Sequence, residues 1–311
     1  MARGGRVPGV VLALVLVGIV ALAACRSGAV RPYATSTEGQ GRPKVLLVVE
    51  ENRPYGEIIG SDSAPYLNRL ASTYGLATAF DAGYPARCPS LPAYLLLTSG
   101  STHGICDDRD ANRHRIGGPN IFAQVAASGR QWRGYAESMP GPCHRGDDDD
   151  YVARHAPAPY YVTAQDRCAD WDVPMGTRTS GAFHTDVAHG RLPAFSFVTP
   201  DVCHDMHGGV RCFGDDVRNG DTWLRDRLPM VLDGPDYRRG NLTVVVTWDE
   251  GGEESNHIPT LVISPHTKHV RSAARFTHCS LLRTMEELLA LRLLGCAATA
   301  PSMRSAFRLT A

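Results

Sequence analysis

Short apolar runs alternate with amphipathic segments over most of the chain. Strands are predicted where β-branched and apolar residues run together, at 45–49, 194–198, 242–247 and 260–263. Helices are predicted where apolar residues recur every three or four positions, at 64–74, 120–128, 221–232 and 280–294. Because the two patterns alternate, we expect an α/β fold whose mostly parallel sheet is flanked by helices on both faces.

The ends of two of these helices are predicted from single residues. Asp221 precedes the third helical pattern and is the expected N-cap, since its side chain suits that position. The last helix is expected to stop at Gly295. Its buried face is predicted to consist of Leu281, Leu282, Met285, Leu288 and Leu289.

The first 24 residues have the pattern of a secretory signal. Arg3 and Arg6 give a positive start, and an apolar run over 10–24 follows, too short to span a bilayer comfortably. The run ends in Leu-Ala-Ala-Cys25, which resembles the lipobox of bacterial lipoproteins and implies that Cys25 is lipidated. The alternatives are an ordinary signal peptide cut nearby and an uncleaved anchor helix. We therefore expect an exported protein, anchored to the cell membrane by lipid and facing the extracytoplasmic side.

Residues 25–42 are polar and aperiodic, as expected of a flexible tether, and residues 43–311 fit one domain. Without the two arginines of residues 1–24, 30 basic side chains face 32 acidic ones. A nucleic-acid-binding protein needs a clustered basic excess, so we expect no nucleic-acid partner.

Eight cysteines follow Cys25, and no pair has zinc-ribbon spacing. An even number in an exported chain predicts up to four disulfides. Sequence does not fix their connectivity, although Cys143 with Cys168 and Cys203 with Cys212 are the simplest pairs. Cys88 is either bonded to Cys106, which would hold the nearby Ser90 turn, or free and available as a ligand.

Acidic residues follow two predicted strands directly. Glu50, Glu51 and Asn52 end the first, and Asp249 and Glu250 come after the strand at 242–247, followed by a glycine pair. Ligands of α/β proteins bind beyond the carboxyl ends of strands, and oxygen ligands suit a hard divalent cation. A divalent metal site is therefore predicted here. The alternative is that these are solvated loop charges.

Ser90 lies just before an apolar helical run in which Pro92 suits the first turn. At a helix N-terminus, free N–H groups and the helix dipole would stabilise an alkoxide and phosphoryl oxygens. Ser90 is thus a candidate nucleophile. The alternative is that it only caps the helix.

Together these segments resemble the phosphoesterase family of bacterial acid phosphatases and phospholipases C, within the alkaline phosphatase superfamily. The matching segments cover nearly all of 43–311 and include VVEENRPYGEIIG, PSLPAYLLLTSGSTHGICDD, YVARHAPAPYY, FSFVTPDVCHDMHGG, TWDEGG and HCSLLRTMEELL. The resemblance implies an alkaline-phosphatase-like fold and a phosphoric ester hydrolase. It places five residues on metal or nucleophile positions, namely Glu51, Asn52, Ser90, Asp249 and Glu250. It places Asp205, His207 and His155 in motifs near the phosphate or the leaving group.

The implied reaction is attack by Ser90 on a phosphate ester, followed by hydrolysis of a phosphoserine intermediate. A histidine would protonate the leaving oxygen, with His207 and His155 ranked before His257 and His204. Asn52, Asp205 and His204 are the candidates for substrate binding. The expected substrate is a small phosphate ester or a phospholipid, as a monoester or a diester.

The chain departs from the family pattern at three positions. Cys88 stands where a histidine is common, Ala93 where an asparagine is common, and Ala156 interrupts the motif RHNP. Losing the asparagine removes a phosphate-binding donor. A non-catalytic lipoprotein of the same fold, which binds a phosphorylated ligand or an envelope partner, is therefore the alternative function. A sulfatase is disfavoured, because Ser90 is not followed by x-Pro-x-Arg.

Overall fold

The computed structural model describes residues 1–2, 4–5, 41–85, 87–252 and 255–310. Most of the predicted signal sequence, Cys25 and most of the predicted tether lie outside the described residues. The chain divides into two units, Met1–Thr37 and Glu38–Ala311, and every helix and strand described below belongs to the second. Among the described residues, the buried hydrophobic ones all fall between Val45 and Leu309, so this part of the chain carries its own core.

A single mixed sheet forms the centre of the domain. Its strands are β1 Lys44–Glu50, β2 Gly75–Asp81, β3 Trp132–Ala136, β4 Asp172–Pro174, β5 Phe195–Thr199, β6 Leu242–Trp248, β7 His257–Ile263, β8 Val270–Ser272 and β9 Phe276–Thr277. They lie in the order β4-β3-β5-β1-β6-β7-β2-β8, and β9 also pairs with β2. All pairs are parallel except the two that involve β7.

Helices flank this sheet. The α-helices are α1 Tyr55–Ile58, α2 Pro65–Thr73, α3 Leu91–Ser99, α4 Ile121–Ala127, α5 Gln165–Trp171, α6 Ala182–Ala188, α7 Asp216–Leu232, α8 Pro235–Arg238, α9 His278–Leu288 and α10 Arg304–Phe307. Short 3₁₀ helices occupy Ala153–His155, Ala158–Tyr160, Val162–Ala164 and Gly295–Ala298. The predicted α/β fold with a mostly parallel sheet is confirmed. None of the helices in the described ranges is both long and apolar enough to cross a bilayer.

Two predicted helix ends are wrong. The helix predicted at 221–232 begins at Asp216, and Asp215 is its N-cap. Asp221 lies inside the helix, where its carboxylate accepts hydrogen bonds from the backbone N–H groups of Tyr66 and Leu67 at the start of α2. It therefore caps a different helix. The last helix ends at Leu288 rather than near Gly295, although all five residues predicted for its buried face are buried.

The sheet directs several chain segments to one edge. Strands β3, β5, β1, β6 and β2 all run in the same direction, because β2 is antiparallel to β7 and β7 is antiparallel to β6. Their carboxyl ends therefore meet at one edge, the usual location of a ligand site in such sheets. The chain segments that follow these five strands begin at residue 51 after β1, 82 after β2, 137 after β3, 200 after β5 and 249 after β6.

Four disulfides cross-link the described residues, namely Cys88–Cys106, Cys143–Cys168, Cys203–Cys212 and Cys279–Cys296. The two simplest predicted pairs and the Cys88–Cys106 pair are confirmed. Disulfides form and persist in oxidising compartments, so the four bonds indicate export from the cytoplasm.

A buried carboxyl group on β4 predicts how stability depends on pH. Burial raises the pKa of Asp172 to about 7, and its Oδ2 has no hydrogen-bond partner among the described residues. An unfolded aspartate has a pKa of about 3.9. Between these values the folded state holds more protons than the unfolded state, so this group's contribution to the free energy of unfolding falls as pH rises.

We therefore expect Asp172→Asn to raise the free energy of unfolding at pH 8 by about 4 kcal/mol and to change it little at pH 4. Urea unfolding of both proteins at the two pH values measures this. A difference that does not depend on pH would show that Asp172 ionises equally in both states.

Candidate functional site

Ser90, Tyr94 and Glu51 form the centre of the site. Ser90 immediately precedes α3 and Tyr94 lies one helical turn later, so both side chains face the same way. Ser90 Oγ donates to Glu51 Oε2 at 3.0 Å, and Tyr94 OH donates to Glu51 Oε1 at 2.7 Å. All three residues are at most 5% exposed. The Ser90 hydroxyl is thus held in a fixed direction by a buried carboxylate.

Ser90 does not act as a helix cap. Its backbone is already helical, and its side chain makes no capping hydrogen bond. Asp108 takes that role, because its Oδ1 accepts from the backbone N–H of Leu91 at 2.9 Å. This leaves the Ser90 hydroxyl available for chemistry. Asp108 thereby occupies the backbone N–H of Leu91, one of the groups predicted to stabilise phosphoryl oxygens. Pro92 has no backbone N–H.

The ends of β1 and β6 are joined by hydrogen bonds. Asn52, with φ of 37°, turns the chain back, so that its backbone N–H donates to Asp249 Oδ1 at 3.1 Å. Its side-chain amide donates to Glu250 Oε1 at 2.9 Å, and Tyr84 donates to Glu250 Oε2 at 2.7 Å. The structure thus brings Glu51, Asn52, Asp249 and Glu250 to one place, as the sequence predicts.

Two oxygens in this group have no partner among the described residues. Asn52 Oδ1 and Asp249 Oδ2 are both buried and accept no hydrogen bond. Burial raises the pKa of Asp249, and repulsion from Glu51 and Glu250 raises it further. Burial also raises the pKa of Glu250. Full ionisation of this group requires a compensating positive charge.

His155 lies beside two of the buried carboxylates. It is 3% exposed and stacks on Tyr94, with ring centroids 5.3 Å apart. Its Nε2 lies 3.0 Å from Glu51 Oε1, and its Nδ1 lies 3.6 Å from Asp205 Oδ2. Burial alone would raise the pKa of Glu51, but attraction to His155 and the hydrogen bond from Tyr94 lower it below its usual value. The carboxylate that faces Ser90 is therefore ionised.

A second acidic cluster adjoins this site. Among the described residues, Glu137, Asp201 and His204 are the group of His, Cys, Asp or Glu side chains whose ligand atoms lie within 4.8 Å of one another. His204 Nδ1 lies 2.9 Å from both carboxylates, Arg227 donates to Glu137 Oε1, and Ser138 donates to Asp201 Oδ2.

The protonation of His204 sets the net charge of this cluster. Hydrogen bonds to Asp201 and Glu137 raise the pKa of His204 to about 10. A cation bound here would have to displace the proton on Nδ1. In the metal-free protein His204 and Arg227 offset the two carboxylates, whereas unpartnered oxygens lie at Asn52 and Asp249.

Comparison with known proteins identifies the family of this chain. A model of the Phosphoesterase family matches residues 60–292. A phosphatidylinositol-3-phosphatase of Mycobacterium tuberculosis is 31% identical over 266 residues, which cover 83% of this chain and 80% of that protein. The chain belongs to the Phosphoesterase family.

Two further relatives fit this family. An acid phosphatase of Aspergillus fumigatus is 24% identical over 83% of this chain, which spans 58% of the fungal protein. The structure also matches that of an alkaline phosphatase superfamily protein from Vibrio parahaemolyticus. That match has a TM-score of 0.57 at 14% identity and covers 81% of this chain and 68% of the other. The predicted family and fold are confirmed, and the protein is a phosphoric ester hydrolase.

The remaining predicted histidines of this phosphoesterase differ in position. His207 is exposed, and its backbone N–H donates to Asp205 Oδ1 at 2.9 Å, which ties it to the residue beside His155. His257 instead stacks on Tyr55, with centroids 4.6 Å apart, and its Nε2 lies 3.0 Å from the carbonyl oxygen of Thr78. His207 is therefore connected to the site through its backbone bond to Asp205, whereas His257 contacts Tyr55 and Thr78 instead.

The departures from the family pattern have structural consequences. Cys88 is bonded to Cys106, so it holds the turn before Ser90 and is not a free ligand. Ala93 is buried in α3, and its backbone N–H bonds to the Ser90 carbonyl. Arg154 lies near the same place, with Nε 3.1 Å from Asp108 Oδ2. A guanidinium thus lies beside Asp108, the carboxylate that caps the helix start after Ser90.

Sequence reasoning missed several residues of the site. Tyr84 and Tyr94 donate to the predicted residues Glu250 and Glu51. Asp108 caps the helix that follows Ser90, and His278 Nε2 lies 2.6 Å from the carbonyl oxygen of Asp249. Burial lowers the pKa of His278 to about 4, so this ring is neutral. Of these four residues, only Tyr94 could have been found from the sequence, because it lies four residues after Ser90 and therefore on the same helix face.

Proposed function

We propose that this enzyme hydrolyses phosphate monoesters through a phosphoserine at Ser90, with a divalent cation bound beside it. Glu51, Asn52, Ser90, Asp249 and Glu250 would hold the cation. The observation that carries the proposal is the pair of buried, unpartnered oxygens, Asn52 Oδ1 and Asp249 Oδ2, within a group of carboxylates. Buried polar atoms normally have partners, and carboxylate and amide oxygens suit a hard cation.

The charge of the site supports the same conclusion. Glu51, Asp205, Asp249 and Glu250 are each at most 5% exposed. His155 is the ring that contacts Glu51 and Asp205, and a single imidazole cannot offset four carboxylates. When bound, the cation would offset the remaining charge, favour the Ser90 alkoxide and polarise a phosphoryl oxygen.

The chain's own residues orient the nucleophile. The hydrogen bond to Glu51 directs the Ser90 hydroxyl, and Tyr94 and His155 hold that carboxylate on its other oxygen. The Cys88–Cys106 disulfide and the Asp108 cap fix the turn that carries Ser90. We assign Arg154 to the phosphoryl oxygens, in place of the missing amide, because guanidinium groups pair well with phosphate.

The leaving oxygen needs a proton, and we assign this step to His207. Its ring is exposed on the segment that carries Asp205, where an alcohol can leave to solvent. His155 is enclosed between Tyr94 and Asp205, so we assign it to positioning Glu51. His204 is already engaged by two carboxylates and is assigned to neither step.

The substrate class follows from the relatives. Two of them are named as phosphatases, one of them for a phosphoinositide. We therefore favour a monoester over a diester, and a phosphorylated lipid head group is the substrate that membrane anchoring through Cys25 would bring closest. The four disulfides support an extracytoplasmic location, and residues 1–24 would be the cleaved signal.

Hydrolysis of a chromogenic phosphate monoester by residues 41–311 tests this proposal. We expect turnover that disappears after dialysis against a chelator and returns when a divalent metal salt is added. A chromogenic phosphodiester is the parallel substrate, and we expect it to be hydrolysed far more slowly. Turnover that persists after complete metal removal would contradict the proposed cation.

A further inference from the structure

Two large apolar side chains protrude from a loop at the candidate site. Among the described residues beyond Met1, Val210 and Phe213 are the most exposed large hydrophobic side chains, at 106% and 89%. They lie three positions apart, on and just after the segment closed by the Cys203–Cys212 disulfide. Single exposed apolar residues are common, but two this close at a ligand site indicate an interaction surface. We call residues 208–213 the loop tip.

The base of the loop is fixed to the domain. Met206 is fully buried, and its carbonyl oxygen accepts from Arg53 Nε at 2.9 Å. Gly220 in α7 packs so closely that an added Cβ would lie 2.4 Å from Met206 Cγ. On the other side of the tip, Asn219 Nδ2 donates to the Phe213 carbonyl oxygen at 2.9 Å. The apolar side chains are therefore held out into solvent by anchored neighbours.

The same loop connects the tip to the chemistry. Asp205 contacts His155, and His207, the proposed acid, lies three residues before Val210. Whatever binds the tip therefore lies beside the place where a leaving group would exit. A monoester phosphate carried on a lipid head group would reach the site from that direction.

The charges of the tip indicate how it would bind. Arg211, its basic residue, pairs with Asp149 at 2.8 Å and with Asp150 at 3.0 Å. The tip therefore offers no surplus positive charge to attract anionic lipids. Its affinity would come from apolar insertion, which does not need a charged membrane.

We propose that the loop tip docks on a phospholipid bilayer by inserting Val210 and Phe213, which places the Ser90 site at the membrane surface. This proposal rests on the proposed function for the identity of the substrate. It does not rest on the lipid anchor, because the tip would bind the bilayer by itself.

Co-sedimentation with phosphatidylcholine vesicles tests the docking. The protein is residues 41–311, which contain the whole described core and exclude Cys25. We expect the wild type to partition onto vesicles, and the double variant Val210→Ser, Phe213→Ser to partition at least about tenfold more weakly. Val162→Ser is the matched control, because Val162 is an exposed valine (41%) outside this loop, and it should partition as the wild type does.

Turnover of a water-soluble monoester is measured on the same samples. We expect the double variant to retain wild-type turnover, which also shows that it is folded, and vesicle binding to persist at 1 M salt. Equal partition of the wild type and the double variant, no binding by the wild type, or loss of binding in high salt would each overturn the docking proposal. Absence of wild-type turnover with normal vesicle binding would instead refute the proposed hydrolysis.

Discussion

Replacing Ser90 by alanine is expected to lower kcat for a phosphate monoester by at least about 10⁴-fold, with much less change in KM. Alanine cannot form the phosphoenzyme, so only the slow direct attack of water remains. Because Ser90 makes no capping hydrogen bond, the substitution removes only its bond to Glu51. Steady-state kinetics and thermal unfolding of the variant measure both effects.

Ser99→Ala is the matched control for that variant. Ser99 is a buried serine at the other end of α3, and its hydroxyl donates to backbone carbonyl oxygens and not to the site. We expect this change to affect stability more than turnover. Comparable losses of kcat in the two variants would mean that Ser90 acts through the helix and not as a nucleophile.

Replacing Asp249 by asparagine is expected to weaken divalent-cation binding by at least about 100-fold and to abolish most turnover at low metal concentration. The change exchanges the unpartnered, buried oxygen for an N–H₂ group or a neutral carbonyl. Burial and repulsion from Glu51 and Glu250 raise the pKa of Asp249, so removing its charge should not destabilise the metal-free protein. Isothermal titration with the metal salt measures the affinity directly.

Asp201→Asn tests the other acidic cluster in the same titration. Asp201 lies with Glu137 and His204, where the carboxylate oxygens already accept hydrogen bonds. We expect this variant to bind the cation as the wild type does. Loss of cation affinity in Asp201→Asn but not in Asp249→Asn would move the metal site to the Glu137 cluster.

The central strands were predictable because their signals are strong. β1 and β6 are seven-residue, fully buried runs rich in valine, threonine and leucine, and each was predicted to within two residues at either end. β3 was missed, since it contains Arg133 and Gly134, and β4 has only three residues. β7 pairs antiparallel with both neighbours, which no local pattern in the sequence indicates.

The site was predictable only in part, for a similar reason. The acidic residues follow directly on strands, so their position at the sheet edge could be inferred from local sequence. The partners that define their chemistry come from distant segments. The hydrogen bond from Ser90 to Glu51 spans 39 positions, and the one from Tyr84 to Glu250 spans 166. The role of Asp221 could not be predicted for the same reason, because Leu67, in the helix that it caps, is 154 positions away in sequence.

Acid quenching of the enzyme during turnover, followed by mass spectrometry of the peptide that contains Ser90, tests the central claim most directly. We predict one added phosphoryl group on Ser90 in the wild type and none in Ser90→Ala. We also predict that water and an added alcohol share the phosphoryl group in the same ratio for different leaving groups, because all substrates pass through one intermediate. An unmodified Ser90 at every pH that supports turnover, with a ratio that changes with the leaving group, would contradict a serine nucleophile.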